Sequence, residues 1–281
     1  MRIPIINRFT CLKSQLVPTI NNLKKQNFGV ILDYANENYK NRDRNILEIK
    51  NLISKYPNSL IALKLSSLNI ENNYHQARDL SFEMCHLAVE NKSKILVDAE
   101  DYKIQEGIES ITDSLMKQFN TQEVNIYKTY QMYRIDTFDK LKQDIIGKRE
   151  HYLGVKLVRG AYYNQDYKYD ILFNKIEQTH QSYNQAINLF CDHSDSKDQL
   201  IIASHNRDSV LLGLEKSNAD NTQNKNNIKY SQLMGMSDDL SKMIADSGNQ
   251  VYKYLPYGNF IDTIPYLLRR LYENPRMFIY M

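Results

Sequence analysis

The chain has 281 residues and a mass of 33.1 kDa, which suits one large domain or two small ones. Its 36 basic and 33 acidic residues give a net charge of +3, which is too small and too dispersed to indicate a nucleic-acid partner. The three cysteines lie far apart without metal-ligand spacing, so we expect no metal site, no disulfide scaffold and a reducing compartment. No apolar run is long enough to span a bilayer.

The first 27 residues form an N-terminal segment with helical and leader-like character. Five basic residues precede the first acidic residue, Asp33, as in organelle-targeting leaders. Against a cleaved leader, residues 28–34 already have the pattern of a strand, which leaves little sequence ahead of the fold. We therefore treat residues 1–281 as a single domain.

Short β-branched and aromatic runs recur along the chain and predict eight strands. They are residues 28–34, 60–68, 94–100, 125–133, 152–160, 199–205, 228–235 and 250–258. Segments with helical periodicity separate most of them, and residues 75–91 are one example. The polar clusters 191–198 and 217–227 are interpreted as solvated loops. Eight strand-then-helix units favour an α/β fold of the closed (βα)8 TIM-barrel type over an open doubly wound sheet.

Polar residues end the predicted strands, where a purely structural barrel would carry Val, Ile or Leu. They are Asp33, Lys64, Asp98, Glu100, Gln131, Arg159, His205, Asn206 and Tyr254. Asp98 and Glu100 share one strand face, and the alternative to a site role is a helix N-cap and a solvated loop carboxylate. His205 is either a satisfied core histidine or a ligand contact.

Lys64 and Lys156 lie within apolar runs, where an unpaired ammonium is costly. Each therefore needs an anionic ligand or an internal ion pair with Asp33 or Asp98. The stretch VKLVRGAYY (155–163) is the best phosphate-binding candidate, because small residues follow a strand that carries cations. Tyr162 and Tyr163 add flat surface for stacking a ring system. The alternative is an ordinary turn between strand and helix.

Near the end of the chain, Arg269 and Arg270 stand side by side on a predicted helix, four and three residues before Glu273. Adjacent guanidiniums repel each other, so their presence indicates a bound anion. The alternative is a solvated basic helical turn that complements the helix dipole.

Taken together, these motifs resemble the proline dehydrogenase family. They are LDYANE (32–37), ALKLSSL (62–68), VDAE (97–100), TYQ (129–131), VKLVRGAYY (155–163), ASHN (203–206), QLMGM (232–236), YLPYG (254–258) and YLLRRLYEN (266–274). The resemblance implies a distorted (βα)8 barrel with FAD at the strand C-termini and a final helix that closes over them. It also implies oxidation of L-proline to 1-pyrroline-5-carboxylate by hydride transfer to FAD.

The resemblance further implies roles for individual residues. Asp98 and Lys156 match the family's catalytic positions, and Lys156 stands where many bacterial members have arginine. The substrate-binding set is Lys64, Tyr254, Arg269 and Arg270, with Glu37 as the gating partner of Arg269. The FAD-binding positions are Ala99, Gln131, Arg159, Gly160, Ala161, Ser204 and His205, where Ser204 replaces the family's usual threonine.

By the same resemblance, electrons pass to a quinone, with peripheral membrane contact. The expected location is the matrix side of the mitochondrial inner membrane if the source is eukaryotic, and otherwise the cytoplasm at the membrane periphery. Two alternatives stay open. Lys156 could form a Schiff base with a carbonyl substrate, as in aldolases, or the chain could be an inactive homologue that only binds a ligand.

Overall fold

The structure is a computed structural model that describes residues 8–35, 42–218 and 227–259. Its strands are β1 (Cys11–Leu12), β2 (Gly29–Tyr34), β3 (Leu60–Leu63), β4 (Lys94–Val97), β5 (Ile126–Gln131), β6 (Gly154–Val158), β7 (Gln199–Ala203), β8 (Ile228–Leu233) and β9 (Gln250–Gly258). Strands β2 to β9 lie within the eight predicted runs. The prediction of eight strands is therefore confirmed.

The eight long strands close into a barrel of parallel neighbours. The closing strand is β9, which pairs with β2 from Gly29↔Tyr252 onward and with β8 from Lys229↔Gln250 onward. All other neighbours follow chain order, so that the carboxyl ends of all eight strands meet at one face. The predicted (βα)8 fold is confirmed. The predicted final helix lies outside the described residues.

Helices surround the barrel. They are α1 (Leu16–Lys25), α2 (Arg42–Lys55), α3 (Tyr74–Glu90), α4 (Tyr102–Phe119), α5 (Thr137–Ile146), α6 (Tyr163–Asp166), α7 (Ile176–His193), α8 (Arg207–Asn218) and α9 (Asp238–Asp246). The predicted helix over 75–91 corresponds to α3, which begins after Asn73, whose side chain accepts a hydrogen bond from the backbone N–H of Gln76. Its buried face carries Ala77, Met84 and Ala88, in agreement with the helical period.

The barrel interior is filled by alternate residues of the strands, since successive side chains of a strand point to opposite faces. Ile31, Ala62, Leu96, Ile201 and Tyr254 pack together there as a cluster separate from the outer core. This apolar layer confines the inward-facing polar residues to the two ends of the barrel. Those at the carboxyl end form the candidate site.

The sequence interpretation was wrong at the beginning of both predicted loops. Residues 191–193 were assigned to a solvated loop but form the last turn of α7. Phe190 is the last fully buried residue of that helix. The turn beyond it is polar because it faces solvent, although its backbone is still helical. Residues 217 and 218 likewise end α8, and residues 219–226 lie outside the described residues.

The N-terminal segment packs on the barrel from residue 8 onward. Phe9, Cys11, Leu16 and Leu23 are buried, and α1 supplies the expected helix. Strand β1 pairs with the end of β9, through Cys11↔Tyr257 and Leu12↔Gly258. None of the described helices combines the length and the apolar character needed to cross a membrane.

Candidate active site

Three side chains from different strand ends converge on Asp98 at the carboxyl end of the barrel, and Asp33 joins this cluster through Lys64. The Lys156 ammonium donates to Asp98 Oδ1 at 2.6 Å, and the Tyr254 hydroxyl donates to Oδ2 at 2.7 Å. Lys64 Nζ lies 3.5 Å from Oδ2, donates to the Tyr254 hydroxyl at 3.2 Å and also donates to Asp33 Oδ1. The ion pairs of Lys64 and Lys156 with Asp33 and Asp98, which the sequence left as one of two options, are present.

The positive and negative charges of this cluster balance one another. Burial alone would raise the pKa of Asp98, but the positive charges of Lys156 and Lys64 and the hydrogen bonds from Lys156 and Tyr254 lower it to about 2. Asp98 is therefore a permanent anion at neutral pH rather than a proton acceptor. Two carboxylates and two ammoniums cancel, so these four groups offer no net charge to an anionic ligand. Tyr254 lies between the two cations, with Lys156 and Lys64 at 5.1 Å and 5.7 Å from its ring centroid.

Glu100 is buried beside this cluster and is neither a solvated carboxylate nor a helix cap. Burial raises its pKa to about 7, although it accepts hydrogen bonds from the backbone N–H and the hydroxyl of Ser66. The side chain that caps α4 belongs to Asp101, which accepts from the N–H of Lys103. The loop-carboxylate and cap alternatives are thus wrong for Asp98 and Glu100. Glu100 instead ties the turn after Lys64 to the end of β4.

Arg159 lies half-buried at the end of β6 and contacts only neutral acceptors. Its Nη1 donates to Ser204 Oγ at 2.6 Å and its Nη2 to Ser209 Oγ at 2.9 Å. Its Nε donates to His180 Nδ1 at 3.0 Å. Burial lowers the pKa of this guanidinium, and within the described ranges no carboxylate lies within ion-pair distance of it. Such a cation is suited to a bound anion.

The turn after Arg159 requires glycine. Gly160 has φ +134°, and a Cβ at this position would lie 2.4 Å from the ring of Tyr133. The neighbouring Ala161 N–H faces Gln131 Oε1 at 3.4 Å, while Gln131 Nε2 donates to the carbonyl of Glu100 at 2.9 Å. Backbone and amide groups from three strands therefore line this wall.

His205 is held in one tautomer. Its Nε2 accepts a hydrogen bond from the Leu233 N–H at 3.0 Å, which places the proton of the neutral ring on Nδ1. Burial, followed by the charges of Lys253 and Arg159, lowers the pKa of His205 to about 4. The ring is thus a neutral donor at the cavity wall. Both readings that the sequence left open for His205 apply, since the ring is satisfied on one side and lines a cavity on the other.

The carboxyl end of the barrel holds one cavity of about 750 Å³. Its walls carry every predicted site residue in the described ranges: Lys64, Asp98, Ala99, Gln131, Lys156, Arg159, Gly160, Ala161, Ser204, His205 and Tyr254. Of the two predicted stacking tyrosines, Tyr162 lines the cavity, whereas Tyr163 is exposed and packs against Tyr167. The predicted residues Glu37, Arg269 and Arg270 lie outside the described residues. The sequence missed His180, which lies within α7 and carries no strand-end signal.

A family model described as proline dehydrogenase matches residues 16–277 of this chain. The chain belongs to the proline dehydrogenase family. Mitochondrial proline dehydrogenase 1 of Dictyostelium discoideum is 30% identical over 96% of the chain and 47% of that protein. Hydroxyproline dehydrogenase of Xenopus laevis is 35% identical over 66% of the chain and 43% of that protein.

Solved structures share the barrel of this proline dehydrogenase family member. Proline utilization A from Bdellovibrio bacteriovorus superposes with a TM-score of 0.84 at 18% identity, over 96% of this chain and 32% of that protein. The corresponding protein from Corynebacterium freiburgense gives 0.83 at 19% identity, over 97% and 31%. At these identities the likeness supports the fold. The chain spans less than half the length of each of these relatives.

Proposed function

We propose that this chain oxidises L-proline to 1-pyrroline-5-carboxylate with FAD as the bound cofactor, the first step of proline breakdown. The observation that carries the proposal is the Asp98 cluster, in which Lys156 and Tyr254 are fixed within 2.6 Å and 2.7 Å of one carboxylate at the cavity wall. The proline dehydrogenase motifs that precede and follow Asp98 along the chain support the same reaction. This reaction belongs to the oxidoreductases that act on CH–NH donors.

The cavity has features that fit FAD. Its volume of about 750 Å³ is in the range of cofactor sites, and the uncompensated Arg159 guanidinium suits a pyrophosphate. Gly160 lets the backbone of its turn approach a ligand closely. The residues that would hold the cofactor are Ala99, Gln131, Arg159, Gly160, Ala161, Ser204 and His205. When bound, FAD supplies the oxidant that accepts a hydride from the substrate's ring carbon.

The chain's own residues would orient the substrate and control its proton. Imine formation removes a hydride and a proton from proline, so the amine must be unprotonated when it reacts. Cations around the substrate favour that free base by like-charge repulsion. Because Asp33 and Asp98 neutralise Lys64 and Lys156, a carboxylate clamp needs further cations. We assign that role to Arg270, with Arg269 as the gate that pairs with Glu37. Lys64, the third cation of the set that the resemblance implies, is already paired with Asp33 and would contribute less to the clamp.

Asp98 would act as a fixed anion rather than as a base. Its pKa of about 2 keeps it ionised, so that it holds the Lys156 ammonium and the Tyr254 hydroxyl in place. Tyr254 offers an aromatic face to the ring of the substrate. A bulky ring at this position would crowd a ring hydroxyl, which favours proline over hydroxyproline.

The absorbance spectrum of the purified protein tests the proposal. We expect the yellow spectrum of a bound flavin, bleached by anaerobic L-proline and much less by 4-hydroxyproline. A protein that binds flavin without bleaching would be an inactive homologue. Schiff-base chemistry at Lys156 requires an amine that is free to attack a carbonyl carbon, whereas Lys156 Nζ is held 2.6 Å from Asp98 Oδ1 in an ion pair. Borohydride trapping of a carbonyl substrate would support that alternative instead.

We further propose that electrons leave to a membrane quinone and that the protein contacts the membrane peripherally. Five large side chains each expose 40 to 63% of their surface, and they are Tyr102, Ile135, Tyr163, Tyr167 and Ile176. Tyr163 and Tyr167 are in ring contact, and Ile176 lines the cavity of the candidate site. Tyrosine is suited to a membrane interface, since its ring is apolar and its hydroxyl polar.

Vesicle flotation tests this contact. The wild-type protein should float with vesicles of anionic phospholipid, and a Tyr163→Ser/Tyr167→Ser variant should remain at the bottom of the gradient with its flavin spectrum intact. The names of the Dictyostelium and human relatives support a mitochondrial location in a eukaryotic source, on the matrix side of the inner membrane. In a bacterial source we propose the cytoplasm at the membrane periphery.

A further inference from the structure

The hydrogen bond between Arg159 and His180 determines which ring nitrogen of His180 carries the proton. Arginine is only a donor, so His180 Nδ1, at 3.0 Å from Arg159 Nε, must be the unprotonated acceptor. A neutral imidazole then carries its single N–H on Nε2. His180 is thus a donor on the side of its ring that faces away from Arg159.

That donor has no partner in the described part of the chain. The hydrogen bond from Arg159 is the one hydrogen bond of the His180 ring there, and the residue lines the 750 Å³ cavity. Two exposed carboxylates, Glu177 and Asp208, act on the ring electrostatically but lie beyond ion-pair distance. The ring therefore has an uncommitted donor at the cavity wall.

Arg159 brings positive charge to the same place. Three of its five N–H groups are used on His180, Ser204 and Ser209, and all three acceptors are neutral. Two N–H groups remain, along with an uncompensated charge. A neutral donor next to a guanidinium with spare donors matches a phosphate group, which accepts several hydrogen bonds and carries negative charge.

We infer that Arg159 and His180 form a two-residue phosphate site, in which His180 Nε2–H is a direct ligand donor as well as the partner of Arg159. The inference rests on the proposed function, in which the phosphate belongs to the pyrophosphate of FAD. Free inorganic phosphate is the other source of the same chemistry. His180 would then be a cofactor-binding residue in addition to the seven assigned from the family motifs.

Two substitutions of His180 distinguish the role of ring nitrogen Nδ1 from that of Nε2. In His180→Asn the side-chain oxygen takes the position of Nδ1, so the contact with Arg159 is kept and the outward donor is lost. In His180→Gln the longer amide reaches the position of Nε2, so the outward donor is kept. The matched control is His193→Asn, which changes an exposed histidine at the far end of the same helix.

Binding of FAD to the apoprotein measures the effect. We expect His180→Asn to weaken FAD binding about tenfold, as for a lost hydrogen bond to a charged group, and His180→Gln to stay within about threefold of wild type. ADP, which carries the pyrophosphate, should bind His180→Asn more weakly in the same proportion when it is used as a competitor. Riboflavin has no phosphate and should compete equally well in His180→Asn and His180→Gln. Unchanged FAD affinity in His180→Asn, or an equal loss with riboflavin, would overturn the assignment.

A second measurement keeps this inference separate from the proposed function. Inorganic phosphate should raise the melting temperature of the wild-type apoprotein more than chloride at equal ionic strength, and His180→Asn should lose that difference. If the wild-type protein binds no FAD, the proposed function fails. The shift in melting temperature with phosphate still tests whether Arg159 and His180 bind a phosphate group. Equal protection of wild type and His180→Asn by phosphate would count against a direct donor.

Discussion

Lys156 Nζ and Asp98 Oδ1 lie 2.6 Å apart inside the barrel mouth, and both side chains are almost fully removed from water. Removing one partner of such a pair leaves an uncompensated buried charge. We predict that Asp98→Asn lowers the free energy of unfolding by about 3 kcal/mol at pH 7, measured by urea denaturation.

The matched control for this change is Asp192→Asn. Asp192 pairs with Lys216 at 3.3 Å on the surface, and screening by water reduces the expected cost to below about 1 kcal/mol. Equal losses in the two variants would show that the Asp98 pair is no stronger than a surface pair. Because the pKa of Asp98 is depressed, its contribution is complete above about pH 4 and is lost as the pH falls toward 2.

Tyr254→Phe removes the hydroxyl that donates to Asp98 Oδ2 and accepts from Lys64. We expect kcat/KM for proline to fall about tenfold while the flavin content stays constant, because one hydrogen bond to a charged group is lost beside the substrate. Tyr252→Phe is the control, since Tyr252 lies on the same strand and donates to Gln250 at its exposed end. Steady-state kinetics at saturating acceptor would check both; identical kinetics for wild type and Tyr254→Phe would remove Tyr254 from the substrate site.

Gly160→Ala should be damaging because the ring that a Cβ would meet cannot move away. The Tyr133 hydroxyl donates to Asp166 at 2.7 Å, and Asp166 also accepts from the Tyr102 N–H. Together with the positive φ, this clash should cost about 2 kcal/mol and reduce the bound flavin.

The control for Gly160→Ala is Gly107→Ala. Gly107 lies within α4, and its added Cβ would meet the flexible end of Ile70 at 3.2 Å and the ring of Tyr74 at an ordinary contact distance of 3.5 Å. Ala is the better helix former by up to about 1 kcal/mol, so we expect this variant to equal or exceed wild-type stability. Thermal unfolding and the ratio of flavin to protein absorbance measure both variants. A stable, fully yellow Gly160→Ala protein would contradict the geometry.

Glu100→Gln should change how stability depends on pH. Burial raises the pKa of Glu100 from its ordinary 4.5 to about 7, so the folded protein holds this proton over a range in which the unfolded chain releases it. Its contribution is therefore complete below about pH 4.5 and is lost as the pH rises toward 7. We expect the difference in unfolding free energy between the variant and wild type to move in favour of the variant between pH 5 and 7.5. A pH-independent difference in urea titrations would rule out the raised pKa.

Arg270→Ala tests the carboxylate clamp. Loss of one cation from the proposed clamp should raise the KM for proline at least about tenfold and leave FAD bound. Arg78→Ala, which removes an exposed arginine paired with its neighbour Asp79, is the control. Near-normal saturation by proline in Arg270→Ala would mean that another group holds the carboxylate.

Most of the barrel could be predicted from the sequence because each strand carries its own local signal. Alternation and β-branched residues indicated all eight long strands, and polar residues at their ends indicated which face carries the chemistry. Lys64 and Lys156 were expected to need either a carboxylate partner or an anionic ligand, since the cost of an unpaired buried charge is general, and the structure shows carboxylate partners for both.

Other features depend on distant contacts and left no local pattern. Strand β1 has two residues, and it forms because the end of β9 offers an unpaired edge. His180 lies in the middle of a helix, and its role depends on a partner from β6. A solvated loop carboxylate stayed open as an alternative for Glu100 because nothing nearby in sequence indicates that Ser66 covers it. Such residues become visible only when neighbouring strands are brought together.

The pairing of β9 with β1, β2 and β8 also constrains the order of folding. Gly29 pairs with Tyr252, so nearly the whole described chain must be synthesised before the cylinder can close. Until then β2 and β8 each present an open edge, which can pair with another chain. Closure of such a long loop is slow, and the unclosed intermediate is the species most exposed to aggregation. Solubility during expression should therefore depend on the integrity of the last strand more than on any single catalytic residue.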